Sequence, residues 1–263
     1  MPLKLRFQLH GPPPVSPFQH AAGLQASLLR WVAASDPQTA TLLHDANQPK
    51  PYAVSPLWST PGRARSLFFD VSVLVDSLAD PIAEGARREE AMRLGHQHYR
   101  LDRDIEIHDA VTYADIVAQA PPRASRFPIR LLTPTAHHAR NACRKAIVLP
   151  APENYYGSWL NRWNICAPIG IDERLLATVD SHVAIADCAG RTQHVELDRG
   201  RSFIGFVGEV SFEVLRPHLL AAGEMAALAA LARFAGYCGT GVETTHGMGQ
   251  TEALGLTGAG AQR

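Results

Sequence analysis

The sequence has no cysteine pair at ligand spacing. Cys143, Cys166, Cys188 and Cys238 are scattered through the 263 residues and form no CxxC, which argues against a zinc site or a disulfide framework and for buried, reduced thiols. It has no run near the roughly 18 apolar residues of a membrane span. The opening residues alternate Leu3, Leu5, Phe7 and Leu9 with Lys4, Arg6 and Gln8, a strand pattern rather than the unbroken apolar core of a signal peptide. No membrane partner and a cytoplasmic location are therefore expected. Net charge is also missing, with 25 basic residues against 25 acidic ones, and taken alone this argues against a strong polyanion binder. No Gly-Lys-Ser/Thr occurs, so a P-loop is excluded. No histidine is followed two residues later by Ser or Thr, as the paired motifs of two-histidine phosphoesterases require.

One absence is local. No acidic residue falls between Ile116 and Pro152, whereas Arg123, Arg126, Arg130, Arg140, Arg144 and Lys145 all do, with His137 and His138 among them. The stretch is either an ordinary solvated surface or a strip that faces a polyanion.

The chain that is present reads as two halves, divided near Ala120-Pro-Pro-Arg123 into domains 1–122 and 123–263. In the first, the strand Leu3–Leu9 is followed by a helix whose apolar stripe is Leu24, Leu28, Trp31 and Val32. Ser35-Asp36-Pro37 restarts a short helix, since Asp is a good N-cap and Pro suits the first helical position. Strands are predicted at Tyr52–Pro56, Ser66–Val75 and within Tyr99–Val111, and a helix from Asp80-Pro81 to about Leu94. In the second half the spacing predicts a strand at Phe127–Leu132 and a helix at Asn154–Trp163. Short strands follow at Ser181–Asp187 and His194–Leu197, then a longer one at Phe203–Leu215 and an alanine-rich helix from Arg216-Pro217 to about Ala235. Each half approximates β-α-β-β-α-β, so the expected fold is α+β, a tandem of ferredoxin-like (RRM-like) domains. Tyr155, Tyr156, Trp159 and Trp163 share one helix and read as core before they read as a base-stacking platform. His96 and His98 would share a strand face, but no third metal ligand is evident; neither a metal nor another cofactor is expected.

After the last helix comes Gly239-Thr-Gly241, five residues, then Gly247-Met-Gly249. Such loops can cradle phosphates through close backbone approach; a glycine-rich hairpin without a ligand is the competing reading. A dinucleotide fingerprint lies between a strand and the helix it opens, and here the order is inverted. The paired glycines at this position resemble the C-terminal motif of the CRISPR-associated precursor-crRNA-processing endoribonucleases of the RAMP (repeat-associated mysterious proteins) superfamily. Gly23-Leu-Gln25, Ser35-Asp-Pro37, Leu43-His44-Asp45, Pro49-Lys50, Ser55-Pro-Leu57 and Arg130-Leu-Leu-Thr-Pro-Thr135 are similar to the family in register, and the likeness is weak from about Gly62 to Ala120.

That resemblance implies a metal-independent endoribonuclease. The 2′-hydroxyl of CRISPR repeat RNA would attack the adjacent phosphate, leaving 2′,3′-cyclic phosphate and 5′-hydroxyl ends. His44 and Lys50 match the family's catalytic histidine and auxiliary lysine. Histidine suits proton transfer near neutral pH and lysine suits charge stabilisation. Where some members carry a tyrosine on the first helix this chain has Leu29, which cannot transfer a proton, so His20 is the substitute candidate and Arg30 a phosphate contact. The RNA-binding set is completed by Gly239, Gly241, His246, Gly247 and Gly249 and by the basic strip. Expected partners are precursor crRNA, a CRISPR effector complex and a second copy of the chain. The alternative is a non-catalytic RNA-binding scaffold of the same fold.

Overall fold

The computed structural model describes residues 1–45, 49–62, 65–120, 124–139, 145–197 and 200–255. It divides into two compact units: Met1–Ala110 with Val195–Ser202 and Thr245–Gly247, and Val111–His194 with Phe203–Thr244 and Met248–Arg263. No described helix is long and apolar enough to cross a membrane.

The first unit runs β1 (Leu3–His10), α1 (Ala21–Ala33), α2 (Pro37–Asp45), β2 (Tyr52–Val54), β3 (Trp58–Ser59), β4 (Ser66–Val73), α3 (Ala79–Arg87), β5 (Ala91–Leu94), β6 (Gln97–Leu101) and β7 (Glu106–Ala110). Its antiparallel sheet has the order β2-β4-β1-β6-β5, with β3 also on β4 and β7 also on β1. The alternation that predicts β1 puts Leu3, Leu5, Phe7 and Leu9 into the core, where they meet Leu24, Leu28, Trp31 and Val32 of α1. Phe7 stacks on Phe69 at 5.0 Å and tilts against Trp31 at 5.1 Å between centroids. β1 thus lies between β4 and the β6/β7 pair, as the ferredoxin-like order requires, and β5–β6 is a hairpin added to it.

That hairpin corrects one expectation. The helix from Asp80-Pro81 does not continue to Leu94: it ends at Arg87, and Ala91–Leu94 pair with Gln97–Leu101. Met92 and Leu94 alternate with exposed residues, a period of two that suits a strand, and Gly95 makes the turn at φ 62°. His96 therefore lies in the turn and His98 on β6, not together on one strand face.

The second unit runs α4 (Tyr113–Ala118), β8 (Arg126–Thr135), β9 (His137–His138), β10 (Ala146–Ile147), α5 (Pro152–Cys166), α6 (Leu175–His182), β11 (Val183–Glu196), β12 (Ser202–Val214), α7 (Ala222–Cys238) and β13 (Thr251–Ala253). Its sheet order β11-β12-β8-β13 is again ferredoxin-like, and β9 pairs with β10 separately. The aromatic stripe of α5 is core: Tyr155, Tyr156, Trp159 and Trp163 are at most 2% exposed, and the first three meet Phe212 with rings 5.4–6.1 Å apart. The two short strands expected between Ser181 and Leu197 are one long strand, β11. It is exposed on both faces over Ile185–Thr192, so no hydrophobic period marks it. Its predicted first residues instead close α6, which the sequence did not announce.

Candidate active site

Asp36 starts α2 as its sequence suggests. One carboxylate oxygen accepts from the Thr39 amide at 2.9 Å and the other from the Thr39 hydroxyl at 2.6 Å. These bonds hold the Asp36 carboxyl below the usual carboxylate range. Ala40 and Leu43 anchor the helix to the core, so the adjoining His44 points outward from the last turn with its side chain 75% exposed. Its Nδ1 lies 2.8 Å from Asp45 Oδ1. With Nδ1–H donating to that carboxylate, Nε2 is the nitrogen free for chemistry, and among the described residues it meets no protein partner. Lys50 donates from Nζ to the His44 carbonyl at 3.0 Å, capping the helix end that carries the imidazole. Partial burial lowers the Lys50 pKa, and nearby Asp45 opposes the shift. The sequence-expected pair is therefore joined by that hydrogen bond.

His20 is placed differently. It precedes α1 but is only 4% exposed. Its Nε2 lies 3.1 Å from Gln97 Oε1 and 3.0 Å from the Tyr99 hydroxyl, and its ring meets Tyr99 edge-on at 5.6 Å. Leu29 packs against the same core. Arg30 is held by both Glu89 oxygens, at 2.8 and 2.9 Å.

The basic strip changes character once its neighbours in space are known. Arg126 bonds Glu213 at 3.0 Å, and Arg130 reaches Glu209 at 2.9 Å and Glu252 at 3.0 Å. These acids stand opposite on β12 and β13, far away in sequence. His137 is 7% exposed; burial, with Arg162 and His138 adding to it, pulls its pKa down to about 4, so near neutral pH it carries no charge to offer a phosphate. His138 and Lys145 are exposed. Arg123, Arg140 and Arg144 lie outside the described residues.

The glycine loop spends its amides internally. Thr240 N donates to Gly249 O at 2.8 Å, Gly241 N to Ser158 Oγ at 3.1 Å, and Val242 N to Ala136 O at 3.0 Å. Gly239 N, Met248 N and Gly249 N donate to Ala235, Glu243 and Pro134 carbonyls. Gly249, at φ 65°, leaves no room for a side chain, since a Cβ would lie 1.9 Å from Thr240 O; at Gly241 it would lie 2.2 Å from Ala136 O. The expected phosphate cradle is thus, over these six amides, a self-bonded strut.

Residues that sequence reasoning passed over hold this strut. Arg162, 6% exposed on α5, donates to Gly241 O at 2.8 Å and to the Thr244 hydroxyl at 3.1 Å, and Trp159 Nε1 donates to the Thr240 hydroxyl at 2.9 Å. Within the first unit, Gln25 Nε2 donates to the Thr245 hydroxyl at 3.2 Å and to the Tyr52 hydroxyl at 3.4 Å. His246, half-exposed, completes that tip. The only sequence signal for Arg162 was its place inside an aromatic stripe. Among the described residues no three His, Cys, Asp or Glu side chains group as metal ligands would.

Residues 129–251 match the family model of CRISPR-associated endoribonuclease Cas6. That stretch, somewhat under half of the chain, is similar to Cas6. The fold of the whole chain agrees. A Cas6 product complex superposes with a TM-score of 0.82 at 22% identity, covering 97% of this chain and 100% of that one. Cas6 of Thermus thermophilus gives 0.73 at 23%, covering 97% and 98%. The product of a Cas6-related gene from Pyrococcus furiosus gives 0.66 at 13%, covering 98% and 100%. No curated protein matches the chain. The Cas6 match contains the glycine loop; His44 and Lys50 lie outside it, in the part of the chain where only the fold is matched.

Proposed function

We propose that the protein is an endoribonuclease that cuts CRISPR repeat RNA within precursor transcripts, using the RNA's own 2′-hydroxyl as nucleophile and no metal. The observation that carries this reading is the exposed imidazole of His44, oriented by Asp45, with the Lys50 ammonium tied to the same helix end. The Cas6 match supports RNA as the substrate, and similar solved structures include Cas6 complexes with a product and with a substrate mimic.

In this reading His44 Nε2 takes the 2′-hydroxyl proton and the oxygen attacks the adjacent phosphorus. The 5′-oxygen departs, leaving a 2′,3′-cyclic phosphate. Such a positioned base contributes about 10²–10⁴-fold. Lys50 faces the charge that develops on the phosphorane-like transition state. Its depressed pKa eases delivery of a proton to the departing oxygen. His20, sealed between α1 and β6, takes a positioning role at the start of α1 instead of a proton-transfer role. Arg30 contacts phosphate only by giving up Glu89.

The rival reading, a non-catalytic RNA-binding scaffold, is favoured by one observation: Leu29 and His20 are both turned into the core, so neither of these α1 positions offers an exposed proton carrier. Incubating the protein with repeat RNA in excess chelator and identifying the product ends decides between them. Cyclic phosphate ends, abolished by a 2′-deoxy substitution at the cut site, support the enzyme. A 3′-hydroxyl product or a requirement for magnesium overturns the mechanism, and tight binding without any cleavage selects the scaffold.

A further inference from the structure

We propose that the outer face of the β5–β6 hairpin is a second RNA contact, a phosphate-binding strip made by Arg93, His98 and Arg100 with His96 in the turn. It rests on the reading of the chain as an RNA-processing enzyme and adds a site remote from the chemistry. The hairpin alternates strictly: Met92, Leu94, Tyr99 and Leu101 enter the core, while Arg93, His98 and Arg100 are exposed on the opposite face. Arg93 stands directly opposite His98 in the strand pairing, and Arg100 pairs with His10 on the next strand.

Little in the protein answers these groups. Asp102 is shared between His10, at 2.8 Å, and Arg100, at 3.4 Å. Among the described residues Arg93 bonds only the Gly95 carbonyl, at 3.1 Å, and His96 and His98 have no hydrogen-bond or ion-pair partner. Charges on an edge strand discourage unwanted pairing, which accounts for Arg93 on β5. It does not account for Arg100, which is paired on both sides, with Ala91 of β5 and His10 of β1. Opposed residues on paired strands have Cβ atoms about 5 Å apart, and alternate residues along one strand are roughly 7 Å apart. The strip can therefore meet successive phosphates of a strand laid across it, a contact indifferent to base sequence.

Its place in the sheet defines the test. Lys50 sits two residues before β2, at one edge, and β5 is the other edge. Four strand spacings separate those edges, roughly 20 Å, so only RNA extending well beyond the cut reaches the strip. The double variant Arg93→Glu/Arg100→Glu is compared with wild type on a full repeat with flanking sequence and on a short RNA spanning the cut alone. On the long RNA the affinity should fall about tenfold at physiological salt, and the salt slope should shrink by about 1.4 for two lost phosphates. Binding of the short RNA and cleavage of bound RNA should not change. Equal affinity and slope for wild type and variant on the long RNA overturn the strip while leaving the enzyme reading intact, and so does an equal loss on the short RNA. If the wild type neither binds nor cuts repeat RNA, the underlying reading fails, and the strip with it.

Discussion

Among the described residues, the His44 side chain meets one neighbouring carboxylate, so its removal should cost chemistry and little else. His44→Ala should lower the single-turnover cleavage rate by about 10²–10⁴-fold, with repeat-RNA affinity and melting temperature near wild type; a parallel loss of binding would move His44 from catalysis to recognition. Lys50 reads differently, because its ammonium also caps α2. Lys50→Met should lower the cleavage rate and, on losing the cap, also reduce stability by about 0.5–1 kcal/mol, which urea unfolding will register. His137 yields a pH dependence. Its folded pKa of about 4 lies below the ordinary 6.5, so between these values the unfolded chain binds the extra proton. Its contribution is intact above pH 6.5 and is lost progressively as pH falls toward 4. Between pH 7 and pH 5 this costs about 2 kcal/mol, and urea midpoints of His137→Phe should fall correspondingly less over that interval. The Asp36 cap was legible in the sequence because capping signals are local. The burial of His20 and His137 was not, since their rings pack against Tyr99 and Tyr155, which no local pattern links to them.

At the scale of elements, the strands and helices with a clean period were readable: β1, α1 and α5 stand close to where the sequence puts them. The over-long helix toward Leu94 and the broken β11 show the limits. In one case a short alternating stretch hid behind a helix cap, and in the other a strand exposed on both faces had no hydrophobic period to find. The glycine loop was located correctly, yet its working could not be read. Whether an amide is free depends on Ser158, Ala136 and Pro134, which no spacing rule connects to it. Its rigidity is testable through Gly249→Ala. A methyl 1.9 Å from a carbonyl oxygen at positive φ should destabilise the second unit by about 2–4 kcal/mol and weaken repeat binding. If melting temperature and affinity both stay at wild type, the loop is more yielding than its bonds suggest.

Over the whole molecule, 25 cations balance 25 anions, and two arginines expected to meet RNA, Arg126 and Arg130, are paired across strands. Under the proposed function, attraction to nucleic acid is therefore local, and non-repeat RNA of equal length should bind at least about 100-fold more weakly than repeat RNA at physiological salt. Comparable affinities in filter binding would contradict this. The tandem fold itself was visible in the order of elements, whereas the charge pairing was not, because it is written between strands. β13 is only three residues long, yet Thr251–Ala253 zip onto Ile129–Leu131 of β8, and the glycine strut just before it needs both of its ends. Until the ribosome has translated past Ala253, the second sheet has an unfinished edge and the loop has no carbonyl from Gly249 to close on. Assembly of this half thus waits on β13, a long loop to close, and a message cut short ahead of it yields a chain without that edge, open to pairing with its neighbours and exposed to proteolysis.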